Sequence, residues 1–180
     1  MVSHRLCSMI ARPTARLFAL AFLPIATPAA AQALGDDAAA CRGGHGPAVA
    51  INLQGLKDRR GQVWVELYPA TEADFLRDDT SLTEEGKTFR RVRFALPATG
   101  PVATCIRVPR AGRYALLVRH NRTGKDKFSF WSDGAGFATD RPIGRSRPQL
   151  AQATIDAGGG VTPVTVRMQY LHGLRGFAAD

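Results

Sequence analysis

The chain has 180 residues, with 24 lysines and arginines against 15 aspartates and glutamates, for a formal charge of +9. The basic residues form no dense tract with interleaved aromatics, which excludes the usual footprint of a nucleic-acid surface. In an exported chain such an excess points instead to anionic polymers of the envelope, or to solubility.

The first 33 residues have the three-part layout of a secretory leader. Arg5, Arg12 and Arg16 make a basic start, Leu17 to Ala30 is apolar, and Ala31-Gln32-Ala33 places small residues where a leader peptidase cuts. The apolar run falls short of the roughly 20 residues of a spanning helix, which predicts no membrane insertion. Cleavage leaves 180 minus 33, or 147 residues, enough for one domain, and lowers the formal charge to 21 minus 15, or +6. It also removes Cys7, leaving Cys41 and Cys105 as a pair bound for the periplasm or the exterior. An even pair in an oxidising compartment predicts a disulfide, the alternative being two separate buried thiols.

Residues 34–46 are rich in Ala, Gly and Asp and read as an extended lead-in to a domain spanning 47–172. Val49, Ile51 and Leu53 alternate with Ala50 and Asn52, and Val63, Val65 and Leu67 with Trp64 and Glu66, with the polar stretch Lys57 to Gly61 between the two runs: a hairpin. Between Pro69 and Lys87 the pattern fits one or two short helical turns, with Ser81-Leu82-Thr83-Glu84 resembling a capping box and Gly86 a stop. Strand patterning resumes at Val92 and Phe94, again at Thr104 to Val108, and most clearly at Tyr114, Leu116 and Val118 up to His120. Residues 121–150 form a long loop loaded with Phe128, Phe130, Trp131 and Phe137. Two strands close the chain, around Ala151 to Ile155 and Val164 to Tyr170, and residues 173–180 read as a flexible tail. About seven short strands without a βαβ rhythm predict an all-β, antiparallel sandwich.

Three stretches together carry a resemblance: GLKDRRGQVWVELY from Gly55 to Tyr68, PRAGRYALLVRH from Pro109 to His120, and DGAGF from Asp133 to Phe137 with Pro148 to Ile155 following. In order and spacing they resemble the bacterial exported family called domain of unknown function 2141, from about Val49 to Tyr170. The resemblance implies a transthyretin-like or prealbumin-like sandwich and no established activity. Many members have an acidic, calcium-loop-like run after the Gly-x-Tyr strand. Here that run is His120-Asn121-Arg122-Thr123-Gly124-Lys125-Asp126-Lys127, whose cations repel a metal, so no metal or other cofactor is expected.

Two places offer chemistry. His120, with Asp126, Ser129, Ser132 and Asp133 downstream, contains the parts of a hydrolase acting on an envelope polymer, but no nucleophile-elbow motif accompanies them. A histidine that hydrogen-bonds the loop is the simpler reading, and no catalytic residue is assigned. The long loop is the better candidate: Trp131 and Phe137 as flat anchors with His120, Arg122, Lys125 and Lys127 around them suit an anionic envelope polymer, a sugar or an aromatic ring. The expectation is therefore a non-enzymatic module that binds a ligand or another exported protein, with a purely structural role and a hydrolase as alternatives.

Overall fold

A computed structural model describes residues 32–44 and 46–179, so most of the expected leader lies outside the described residues. The elements are strands β1 (Ala33–Leu34), β2 (Ala48–Gln54), β3 (Gln62–Pro69), β4 (Arg90–Ala95), β5 (Val102–Arg107), β6 (Gly112–Asn121), β7 (Gly134–Phe137), β8 (Thr154–Ala157), β9 (Val161–Leu171) and β10 (Phe177–Ala178). Helix α1 spans Asp79–Glu84 and α2 spans Leu150–Ala153.

The strands run β1-β5-β2-β9-β7-β6-β3-β4, with β10 on β9 and β8 on β6, in one sheet curled nearly into a barrel so that β4 returns close to β5. This corrects the expectation of an antiparallel sandwich of about seven strands. The sheet is mixed: β2 runs parallel to β9 and β1 parallel to β5. Local alternation reports that a strand exists and which face is apolar, but not the direction of a neighbour remote in sequence.

The predicted alternations hold where they were clearest. Val49, Ile51 and Leu53 of β2 meet Val63, Val65 and Leu67 of β3, Val92 and Phe94 of β4, and Leu116 and Val118 of β6 in one core. Burying each such side chain stabilises the fold by about 1.5–3 kcal/mol relative to exposure. A second, smaller core lies on the outer face of β3, β6 and β7, where Tyr68, Leu117 and Phe137 are covered by Phe75, Leu82 and Ala153.

Four local expectations are revised. Helix α1 is capped by Asp78, which accepts from the Ser81 amide at 3.0 Å, so Ser81 sits inside the helix rather than at its cap. The stretch expected as a strand around Ala151 to Ile155 is α2 followed by β8. The DGAGF stretch inside the expected long loop is β7, squeezed between β6 and β9. Only glycine fits there: a Cβ on Gly134 would lie 2.4 Å from the Tyr170 ring, and one on Gly136 2.7 Å from Val166. Residues 173–180 are not a loose tail, because Phe177 pairs with Leu171, bridges to Gly144 and is buried.

The lead-in is also structured. The carbonyl of Leu34 accepts from the Thr104 hydroxyl at 2.7 Å, and a turn of 3-10 helix follows over Ala38–Gly44. Asp37, only 3 % exposed, closes the seam of the barrel: its carboxylate takes the Arg90 guanidinium from β4 and the Arg107 amide from β5 at 2.8 Å. Cys41 and Cys105, 5.9 Å apart at Cα, are joined by the expected disulfide, which ties this segment to β5.

Burial alone would raise the Asp37 carboxyl, but the hydrogen bonds and charges of Arg90 and Arg107 outweigh it and hold it below the usual carboxylate range. A carboxyl lowered in the folded state adds stability above its unfolded value, about 3.9, and loses it as pH falls through the lowered one. Asp37→Asn is expected to cost about 1–3 kcal/mol at neutral pH. The gap from wild type should shrink below about pH 4 in urea titrations run at several pH values. Removing the crosslink with Cys41→Ala and Cys105→Ala, 64 residues apart, should cost about 4 kcal/mol in the chain-entropy account, measured by the same titration.

Candidate functional site

Strand β3 is buried on both faces. Its outer residues Trp64, Glu66 and Tyr68 lie opposite Arg93 and Arg91 of β4 on one side, and Arg119, Leu117 and Ala115 of β6 on the other. Glu66 is 1 % exposed, and a buried charge requires partners. It accepts from the Tyr68 hydroxyl at 2.8 Å and Arg91 Nε at 2.7 Å, and lies 3.4 Å from Arg119 Nη1. Burial and the adjacent carboxylate push the Tyr68 phenol far up, which keeps it a donor. Guanidinium groups cover Trp64: Arg93 and Arg119 lie 4.0 and 4.8 Å from its ring centre.

Beside this cluster the outer layer is incomplete and leaves a groove of about 870 Å³. Glu66, Tyr68, Leu117, Arg119 and Ala135 form its floor. One wall is the loop carrying Phe128, Phe130 and Trp131; another is the C-terminal segment with Leu174 and Phe177; Arg145 and Arg147 lie on a third side. The walls are braced against each other. Phe128, Phe130 and Phe177 form a triad with ring centres 5.4 to 6.4 Å apart. At Gly176, where φ is +76°, a Cβ would strike the Gly144 carbonyl at 2.2 Å, so the tail docks only because the position is glycine.

Among the described residues, the large hydrophobic side chains left exposed are Phe130, Trp131 and Leu174, and all three line this groove. Contiguous exposed apolar surface of this kind marks a place of interaction. The loop wall is held by two buried polar residues. Asp133 accepts from the amides of Arg122 and Ser129 at 3.0 and 2.9 Å, and Asn121 accepts from the Gly124 amide and donates to the Lys125 carbonyl.

Of the six predicted ligand-binding residues, Trp131 lines the groove and the others do not. Phe137 is fully buried and packs edge-on to Phe75. Arg122 pairs with Asp58 and donates to the Ser132 carbonyl at 2.7 Å, fastening the loop. Lys125 and Lys127 are exposed and stand outside the groove lining. His120 is sealed inside: Nε2 donates to the Arg60 carbonyl at 2.8 Å, and Nδ1 accepts from the Tyr170 hydroxyl at 2.7 Å. Its neighbouring carboxylate is Asp58, 3.8 Å away, while Asp133, one of the two downstream aspartates, serves backbone amides of the loop. The groove residues that the sequence does not single out are Glu66, Tyr68, Arg119, Arg147, Leu174 and Phe177. A signal for the first two was present, since a strand with Trp, Glu and Tyr alternating against Val, Val and Leu carries bulk on both faces.

A family model described as "Uncharacterized protein conserved in bacteria (DUF2141)" matches residues 51–165, which hold the floor and two sides of the groove; the C-terminal wall lies past the match. No curated protein and no solved structure matches.

Burial pushes the His120 imidazole below its ordinary value, with the Arg60 carbonyl and Asp58 pulling only partly in the other direction. An unfolded chain therefore takes up this proton first, near pH 6.5, so the fold loses stability as pH falls from about 6.5 toward the lowered value. In NMR titrations the His120 ring should take up its proton at a lower pH than an unfolded histidine does. His120→Gln should cost about 1–3 kcal/mol at neutral pH and flatten the slope of stability against pH below about 6.5.

Proposed function

The chain belongs to the DUF2141 family of uncharacterized bacterial proteins, and we propose that it is a non-enzymatic binding module of the cell envelope that seats a ligand in the groove between the 128–131 loop and the C-terminal segment. One observation carries this reading: Phe130, Trp131 and Leu174, 65, 86 and 86 % exposed, converge on a concave site over a rigid sheet. Small-molecule sites are concave, mostly apolar and roughly 300–1,000 Å³ in volume, and the groove falls in that range.

Export is supported by the leader-like start and by the Cys41–Cys105 disulfide, which fits an oxidising compartment. No helix among the described residues is long and apolar enough to cross a membrane. The hydrolase alternative is weakened by His120, whose two ring nitrogens are engaged inside the fold and away from the groove.

The test uses N-phenyl-1-naphthylamine, an uncharged fluorophore that brightens in apolar sites. The wild-type protein should bind it at a single class of site. Trp131→Ala and Leu174→Arg, both at exposed positions, should weaken binding by roughly tenfold, or about 1.4 kcal/mol, while circular dichroism and the unfolding midpoint stay unchanged. Equal binding by all three proteins would sink the reading.

A further inference from the structure

The groove's walls and its charges are separated, and that separation defines a ligand class. This step rests on the groove being the binding site. The apolar part is Phe128, Phe130, Trp131, Leu174 and Phe177, which offer rings and methyl groups and no free acceptor for a hydroxyl-rich ligand. The floor's polar atoms are largely satisfied already, because Tyr68 and Arg91 saturate much of Glu66. A sugar held there would leave its hydroxyls unpaired, at a cost of about 1–3 kcal/mol for each buried one.

The charge along the lining is one-sided. Arg119, Arg145 and Arg147 line the groove with one carboxylate, Glu66, which Arg91 and Arg119 already share, so Arg145 and Arg147 stand without one. Arg145 and Arg147 are exposed and make no ion pair among the described residues; Arg147 donates only to the neutral Phe75 carbonyl at 3.0 Å. Arg119 contributes a second sign of an incomplete site: its Nε is buried without a hydrogen-bond partner. Guanidinium groups left without carboxylates at the side of an apolar trough are matched by an anion, since charge-assisted hydrogen bonds from arginine to carboxylate or phosphate are among the stronger ones.

We propose that the groove takes a monomeric anionic amphiphile: a single hydrocarbon chain laid along Phe128, Phe130, Trp131 and Leu174, with its carboxylate or similar head received by Arg145 and Arg147. The chain buries the aromatic surface that the fold leaves open, and the head supplies the countercharge that the two arginines lack. A free fatty acid is the simplest molecule with both parts.

Dodecanoate, dodecanol and dodecyltrimethylammonium, all below their micellar concentrations, are titrated against protein carrying N-phenyl-1-naphthylamine. Dodecanoate should displace the fluorophore at a concentration roughly tenfold below that needed for dodecanol, and dodecyltrimethylammonium should be the weakest. The double variant Arg145→Glu, Arg147→Glu should lose this preference, so that dodecanoate needs at least as high a concentration as dodecanol, and Arg145→Lys should retain part of it. Equal displacement by dodecanoate and dodecanol, or an unchanged preference in the double variant, would overturn the assignment of the head while leaving the groove reading intact. If none of the three displaces a fluorophore whose binding still depends on Leu174, the hydrocarbon chain is wrong as well. Cosedimentation with phosphatidylglycerol vesicles that is insensitive to Leu174→Arg, with no displacement by dodecanoate, would replace the monomeric ligand by a lipid surface.

Discussion

Strand β3 carries side chains that need cover on both faces, and most of the architecture answers that demand. Val63, Val65 and Leu67 require a core on one side, which the curled sheet supplies by bringing β2, β4, β6 and β9 around them. Trp64, Glu66 and Tyr68 require cover on the other side, where no second sheet lies among the described residues. The segments after β3, after β7 and after β9 therefore fold back over the outer face. They bury Tyr68 under Phe75 and Phe89, 6.0 and 5.1 Å away between ring centres, while Arg91 of β4 and Arg119 of β6 neutralise Glu66. Irregular chain covers a flat face less completely than a sheet does, and the groove lies where the outer layer leaves off. Site and fold thus have one cause.

A curled sheet of this kind keeps a seam, and unpaired strand edges have to be blunted or covered. Here the short segment from Leu34 to Cys41 does the covering. Leu34 pairs with β5, Asp37 reaches both β4 and β5, and the disulfide holds the end of the segment to β5. All three contacts lie at or beyond Leu34, so the expected cleavage after Ala33 would remove none of them. Gly35 is packed so tightly on Val92 that a Cβ there would come within 2.5 Å, which places the clasp inside the wall rather than over it.

The sequence announced the parts of this fold that depend on local alternation. Val49 to Leu53, Val63 to Leu67 and Tyr114 to Val118 are strands because their period-two pattern gives each an apolar face, and the cysteine pair was legible from export and parity alone. What stayed hidden depends on partners distant in the chain. Parallel pairing of β2 with β9 has no local signature, and β7 reads as loop because Gly134 and Gly136 are weak strand formers chosen for close approach to Tyr170 and Val166. The groove was half visible for the same reason. Trp131 stood out as a large ring in a polar loop, whereas Leu174 and Phe177 sit in a glycine-spaced terminus whose order comes only from pairing with β9 and Gly144. His120 stayed open to several readings because a strand-end histidine beside downstream carboxylates looks the same whether its ring faces solvent or the core.

Two groups stand out among the arginines, and where they sit says more about the groove than the net charge does. Arg90, Arg91, Arg119 and Arg122 each have a carboxylate partner and serve the clasp, the outer-face cluster or the loop. Such cations lend structure and little long-range attraction, since each is neutralised at short range. Arg145 and Arg147 have no such partner and stand together beside the exposed rings. A basic composition spread over the surface would attract any polyanion. The proposed selectivity comes instead from where two open arginines stand, because Arg145 and Arg147 meet the exposed rings at one groove and so match a ligand that brings hydrocarbon and negative charge to the same place.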